Sequence, residues 1–355
     1  MRNLFDNQYS VLGNNPLISH LTQIRLLCNP QSLITILIEV HSMSNSVARK
    51  LSKEVSPFIK QGLAFYETSA TAPINVKPLL QYYAYLNFAS AIVRIYQPPN
   101  WQFIKSHGVI DLTKSRTKIG INAKLVKIYN GVIPIFHSIF SDENLFNESI
   151  SLKELFSSIF MISVELTDHF NQKLYPITVD HSIKKINNHY HSYIEYNMSN
   201  DSNISLPIRR VLKAIPSLRI EYNVHNKSTC SRVYISKMKW KLDDIKKASN
   251  FHNIKVLKLV NYGSQDVKSN RENIKTRWNY NPGTRFLPLL SASLILSFAF
   301  SSLSRYRANL LSKSENTRLM NIFEVFINES DYFMVPAFRN LFYGNSMYIC
   351  SNRYV

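Results

Sequence analysis

Residues 76–96, VKPLLQYYAYLNFASAIVRIY, decide the fold. At helical spacing Leu79, Tyr83, Leu86, Ser90 and Val93 line one face, and Leu80, Ala84, Phe88 and Ala91 fill most of the others. A helix apolar nearly all round needs neighbours on several sides, so this stretch predicts a central core helix. Lys77-Pro78 suits its start, because proline at the first helical position gives up no needed donor. Pro98-Pro99 marks its end. The stretch is long enough to cross a bilayer, but Gln81, Asn87 and the tyrosines at 82, 83 and 85 disfavour lipid on every side.

Outward from this helix, the chain of 355 residues has room for one large or two ordinary domains. Its 45% hydrophobic and 12% aromatic content suffices for a real core. With 8 glycines and neither GxGxxG nor GxxxxGK[ST], a glycine-loop nucleotide fold is disfavoured. Cys28, Cys230 and Cys350 are far apart and odd in number, which suggests neither a disulfide framework nor a CxxC metal site. The opening MRNLFDNQYS lacks the apolar run of a secretory signal, so a reducing cytoplasm is the expected location.

Before the core helix, residues 1–44 are hard to read, and SLITILIEVH at 32–41 fits a strand or a buried helical turn equally. Residues 45–71 suggest two helices, the second capped by Ser56-Pro57. After it, 118–132 alternates and ends in Asn130-Gly131, a hairpin signal. Ser151 and Glu154 form a capping box, which predicts a helix to roughly residue 166. Strands are expected at 175–198 and 219–241, clearest at 232–241, where lysines alternate with Met238 and Trp240; 254–260 is a further candidate. Residues 264–277 suggest a surface connection. The uncharged run at 286–303 is the one serious membrane candidate, but five serines and Pro288 favour a buried helix. Two amphipathic helices at 315–327 and 332–342 close the chain, the last stopped by Gly344.

The fold class that follows is α+β, mainly α: a helical core made by both ends of the chain, with a β-containing basic insertion. Its divisions are an N-terminal segment 1–44, a first half of the core at 45–170, the insertion at 171–281, and the second half at 282–355. Residues 201–285 carry 18 Lys and Arg against 6 Asp and Glu, so about two-thirds of the net charge of +19 sits in under a quarter of the chain. Within it Arg209, Arg210, Lys213, Lys237, Lys239, Lys241, Lys246 and Lys247 are interleaved with Tyr234 and Trp240. Cations match phosphates and exposed rings stack unpaired bases, so nucleic acid is the favoured partner, RNA over DNA. A docking face for an acidic partner protein, or a plain solvated surface, are the competing explanations.

Two stretches together resemble a known family. FYETSATAPINVKPLLQYYAYLNFASAIV at 65–93, followed by Ser106-His107-Gly108-Val109, is similar to the N-terminal half of the YaaC-like proteins of bacteria. SFAFSSLSRYR at 297–307 resembles their C-terminal helix, and Tyr129-Asn130-Gly131 before Ile135-Phe136 also fits. The matched pieces span most of 45–344. The family usually has Lys-Ala where Ser90-Ala91 stands here, and often Pro and Trp after Arg-Tyr, where Ala308 and Leu311 stand. The family brings no settled activity. Its helical layout looks similar to HEPN domains, many of them RNA-cutting or RNA-binding effectors of toxin and phage-defence systems, and this is analogy at the level of fold.

Three constellations carry possible chemistry. His107 in a loop beside Gly108, with Arg305 and Arg307 around Tyr306 at a helix end, suits metal-free RNA cleavage: His moves protons, Arg holds the phosphate. The bland alternative is a helix-capping or hydrogen-bonded His107 and a carboxylate-paired Arg305. Arg219 and His225 have the HEPN spacing of arginine and histidine, but alternation there says strand. Asp180, His181, His189 and His191 form the densest histidine cluster, better explained as a solvated hairpin than a metal site. No metal or cofactor is therefore expected, and no membrane. The rival function is a non-catalytic subunit that docks a partner through the basic insertion.

Overall fold

The computed structural model describes residues 16–96, 106–113, 119–159, 162, 175–199, 218–225, 229–241, 268–270, 273–280, 287–311 and 317–344. Helix α4 (Lys77–Tyr96) is the expected core helix, with fifteen of its twenty residues buried. It packs against α3 (Asn45–Thr71), α5 (Val132–Ser138), α7 (Leu289–Tyr306) and α10 (Asp331–Phe342), so both ends of the chain enclose it. α1 (Pro16–Leu26) lies on α10, and α2 (Pro30–Glu39) on α3. Helices α6 (Leu152–Ser157), α8 (Ala308–Leu311) and α9 (Thr317–Glu329) complete the helical set among the described residues. The protein is α+β and mainly α.

The ambiguous run at 32–41 is helical as far as Glu39. Asn29 caps α2 by accepting from the Gln31 amide at 2.8 Å, and Pro30 follows as a helix-opening residue. The two helices expected over 45–71 are one. Pro57 lies inside α3 on its exposed face, where water can take the carbonyl of Lys53 that proline leaves without its donor. The Ser56 hydroxyl donates to the Cys28 carbonyl, 3.3 Å, rather than capping anything. Gly62 brings α3 hard against α4, since a Cβ there would meet Phe88 at 2.6 Å and the Ala84 carbonyl at 3.2 Å.

The capping box is present, with Ser151 Oγ accepting from the Glu154 amide at 3.2 Å and Glu154 Oε2 accepting from the Ser151 amide at 2.7 Å. α6 nevertheless ends at Ser157, short of the expected 166. The hydroxyls of Ser157 and Ser158 donate to the Lys153 and Glu154 carbonyls, taking acceptors a continuing helix would use. α7 is the membrane-length helix: among the described residues it alone is long and apolar enough, and 78% of it is buried. Pro288 is its N-cap rather than an internal break. Ser297 and Ser304 return their hydroxyls to carbonyls of the same helix, which lets so many serines lie in a core. At the far end of α10, Gly344 takes φ +61°. The Tyr96 phenol and the His41 imidazole donate to the last carbonyls, those of Leu341 and Phe342.

Two antiparallel sheets accompany the helices. In the smaller, β2 (Lys124–Ile128) lies between β1 (Val109–Asp111) and β3 (Ser149–Ser151). The hairpin expected over 118–132 is therefore replaced by pairing with distant strands, and Asn130-Gly131 leads straight into α5. The larger has the order β6-β7-β5-β4-β9-β8, from β4 (Tyr175–Ile186), β5 (His189–Ser199), β6 (Leu218–His225), β7 (Thr229–Ser236), β8 (Lys268–Asn270) and β9 (Asn273–Tyr280). β4 and β5 form a hairpin whose turn residues, Asn187 and Asn188, both have positive φ, as a tight primed turn requires. The surface connection expected at 264–277 is corrected over 268–270 and 273–277, because β9 pairs with β4 along seven residues. The strand considered at 254–260, the Pro98-Pro99 stop and the division of the insertion from 242 to 267 lie outside the described residues.

Replacing Gly62 with Val is expected to cost about 1–3 kcal/mol of stability by overpacking against Phe88. Gly120→Ala is the control, since a Cβ there meets nothing within 4 Å. Urea unfolding of both variants measures the difference.

Candidate functional site

His107 is held in place by its backbone. The strand that carries it crosses the start of α5 so closely that a Cβ on Gly131 would lie 2.3 Å from the Gly108 amide nitrogen. Gly108 itself has φ +83°. Only glycines allow that crossing, and hydrogen bonds lock it: the Tyr129 amide donates to Gly108 (2.8 Å), Val132 to Ser106 (3.1 Å) and Ile133 to His107 (3.0 Å). The Asn-Gly pair read as a hairpin turn is one half of this crossing.

The side chain is anchored by α4. His107 Nδ1 and the Tyr82 hydroxyl are 2.9 Å apart, and the imidazole edges against the rings of Tyr82 and Tyr83 at 5.7 and 6.2 Å. Burial, and then the positive charge of Arg305, push the imidazole below its ordinary pKa, so it is neutral at pH 7. Burial likewise pushes the Tyr82 phenol up, and Tyr83 adds to the effect, while Arg305 opposes it. Both groups feel the same guanidinium. Arg305, in the last turn of α7, is exposed, lies 4.1 Å over the ring of Tyr306, and has no carboxylate partner among the described residues. The charge of Arg305 thus reaches His107 although the two are far apart in sequence.

A second link joins the two arms. Asp111, on β1 beyond Gly108, accepts at Oδ2 from the Ser302 hydroxyl (2.6 Å). Its Oδ1 accepts from the amide and hydroxyl of Thr113 at 2.7 and 2.6 Å. Ser302 is one turn before Arg305 on α7, so this clasp sets the arginine relative to the histidine strand. Sequence reasoning missed Tyr82, Asp111 and Ser302. Nothing in the run Gln81-Tyr82-Tyr83 marks one tyrosine as different, and the Asp111–Ser302 contact spans 191 residues.

The arrangement has two protonation forms. With Nδ1–H donating to the Tyr82 oxygen, Nε2 keeps an open lone pair and is a base; with the phenol donating to Nδ1, Nε2–H is a donor to an anion. Nε2 has no protein partner among the described residues.

The other predicted residues fare differently. Lys237, Lys239 and Lys241 are exposed just beyond β7. Trp240 among them is 6% exposed, with its amide and carbonyl paired to Tyr190, so its ring is an anchor and not an open stacking face. The expected split of the segment is also altered at Met238, which is 53% exposed instead of sharing the buried side with Trp240. Arg307 is the C-cap of α7, its amide donating to Leu303 at 2.8 Å. Arg209, Arg210, Lys213, Lys246 and Lys247 lie outside the described residues. Arg219 and His225 belong to strand β6, so their spacing is not that of a helical pair. His189 and His191 point Nδ1 at the carbonyls of Asn187 and Ser236 (2.9 and 3.3 Å), and among the described residues no three His, Cys, Asp or Glu gather as a metal-binding group.

A mainly helical α+β protein, with a histidine anchored on its central helix and held below its ordinary pKa by burial and by the charge of an exposed arginine, is the class this geometry defines. The chain belongs to the YaaC-like Protein family, whose family model matches residues 34–330. No curated protein and no solved structure matches it.

In NMR titration His107 is expected below the ordinary histidine range. Arg305→Gln removes a charge that opposes protonation and raises the pKa; Ser302→Ala raises it less, by freeing the arginine's helix end. An unchanged His107 titration in Arg305→Gln would show that the two groups are uncoupled.

Proposed function

We propose that this YaaC-like protein engages nucleic acid, RNA in preference to DNA, with His107 and Arg305 as a metal-free phosphodiester-cleaving centre of a defence or toxin-type effector. The observation that carries the reading is a half-buried imidazole anchored through Nδ1 on the Tyr82 hydroxyl, 2.9 Å, whose pKa is lowered by burial and by the charge of exposed Arg305. In the form with Nε2 open, His107 takes the proton of a ribose 2′-hydroxyl as that oxygen attacks the adjacent phosphorus. The bond from phosphorus to the 5′-oxygen breaks, leaving a cyclic phosphate, and the departing oxygen takes a proton from water. Arg305 offsets the charge that grows on the phosphoryl oxygens. The HEPN analogy, one of fold level only, motivates the reading and adds no residue. A cytoplasmic site of action goes with this reading.

One observation favours a docking role instead: Lys237, Lys239 and Lys241 stand exposed together, braced by buried Trp240. That surface suits a partner protein or its nucleic-acid cargo without chemistry at His107.

Labelled single-stranded RNA and duplex DNA, titrated with the full chain over a salt series with chelator present, separate the two. The cleavage reading expects salt-sensitive RNA binding with cleavage, and His107→Ala lowering cleavage about 10²–10⁴-fold with binding kept. Binding without cleavage, weakened only by Lys→Glu changes at 237, 239 and 241, favours docking. Absence of binding at low salt overturns the nucleic-acid reading.

A further inference from the structure

Beside His107 lies a pair of aromatic rings at the border of the core, packed against it and only partly buried. Phe65 of α3 and Tyr83 of α4 stack with centroids 5.3 Å apart and planes 27° from parallel. The close approach at Gly62, one turn earlier on α3, brings them together. Both are only partly buried. Phe65 lies on the border of the solvent face of α3, between buried Leu63 and Tyr66 and exposed Ala64, Glu67 and Thr68. The other tyrosines of α4 spend their hydroxyls on the fold: Tyr82 on His107, Tyr85 on Ser330 and Asp331, Tyr96 on the Leu341 carbonyl. The Tyr83 hydroxyl has no hydrogen-bond partner among the described residues. Its ring instead meets the His107 imidazole edge-on, at 88°.

We propose that Phe65 and Tyr83 form a platform for one unpaired nucleobase whose phosphate sits at Arg305, so that the site takes single-stranded nucleic acid and not a duplex. This rests on the nucleic-acid reading of the His107–Arg305 site. A partly exposed aromatic face gains from a flat heteroaromatic ring whatever the base, because every base offers a π-face. In a duplex those faces are already stacked on one another. The exposed Arg305 and the net charge of +19 supply the complementary charge for the strand's phosphates. The edge-on contact of Tyr83 with His107 places the platform within one nucleotide of the reacting group.

The test uses the full chain and two labelled strands of equal length and charge, with 2′-O-methyl riboses so that neither is cut. One strand carries bases and the other is abasic. Fluorescence anisotropy at one low salt concentration is expected to give about tenfold tighter binding of the strand with bases. Tyr83→Leu and, separately, Phe65→Leu lower that affinity about tenfold and leave the abasic strand unaffected, with thermal melts confirming that each variant is folded. Phe65, at the solvent border, serves if Tyr83→Leu does not fold. Equal affinity for the two strands, or tighter binding of a duplex, overturns the platform while phosphate binding at Arg305 stands. No binding of either strand overturns the nucleic-acid reading itself.

Discussion

Burial of α4 on every side is the constraint from which the rest of the structure follows. A helix with so little wet surface has few places to put a polar side chain except against its own backbone or a neighbour, and an unpaired buried polar group costs about 1–3 kcal/mol. Asn87, Ser90 and Arg94 solve this locally by donating to the carbonyls of Tyr83, Leu86 and Ser90. Gln81 and the tyrosines reach outward. Gln81 donates to the Ile327 carbonyl and to Asp331, and Tyr85 to the same carboxylate. Tyr96 takes a terminal carbonyl of α10. Burial raises the pKa of Asp331, although these donors pull the other way. Tyr85 and Tyr96 thus tie the two ends of α10 to the central helix, and Tyr82 ties the loop of His107. The site is one of the places where the core helix satisfies its own polar groups.

That origin explains how much of the molecule can be read from residues alone. Helix α4, the capping box, the β4–β5 hairpin and the final helices are written in local pattern: all-round apolarity, Ser151 with Glu154, Asn187-Asn188, and Gly344 as a stop. The failures have a common cause, which is tertiary contact overriding a local signal. Pro57 normally opens a helix, but on the solvent face its lost hydrogen bond is cheap and α3 runs through it. Asn130-Gly131 is a strong hairpin signal, yet the absence of a side chain at Gly131 serves the crossing with Gly108. Residues 273–280 are polar enough to suggest a connection and become a strand because β4 offers them an edge. At the site, His107 and Arg305 are legible from their chemistry and their flanking Gly108 and Tyr306. Their electrostatic coupling, the Tyr82 anchor and the Asp111–Ser302 clasp depend on packing between distant segments, which no spacing encodes.

The same distinction separates Trp240 from Tyr83. Trp240 sits amid lysines, and composition alone makes it a stacking ring; backbone pairing with Tyr190 turns it inward and leaves the lysines exposed around it. Tyr83 sits within the most apolar stretch of the chain, where composition makes it core. Its stacked neighbour Phe65 lies at the edge of α3, and its hydroxyl has no structural task. Exposure of an aromatic ring is decided by which elements cover it, so the interleaving of aromatics with charge is a poor guide to it.

The charge of Arg305 acts on His107 without stabilising it. A guanidinium beside a half-buried imidazole opposes protonation of the histidine and gains nothing from a neutral ring, so the pair contributes no ion-pair stability. A purely structural arginine in that position would be expected to find a carboxylate, and the nearest clasp, Asp111, is already committed to Ser302 and Thr113. The aspartate therefore fixes the arginine's helix while leaving its charge uncompensated. Local arrangements that forgo stability in this way concentrate where a protein binds or transforms something. An anion near Arg305 would offset the positive charge that lowers the His107 pKa, and so would itself favour protonation of the imidazole.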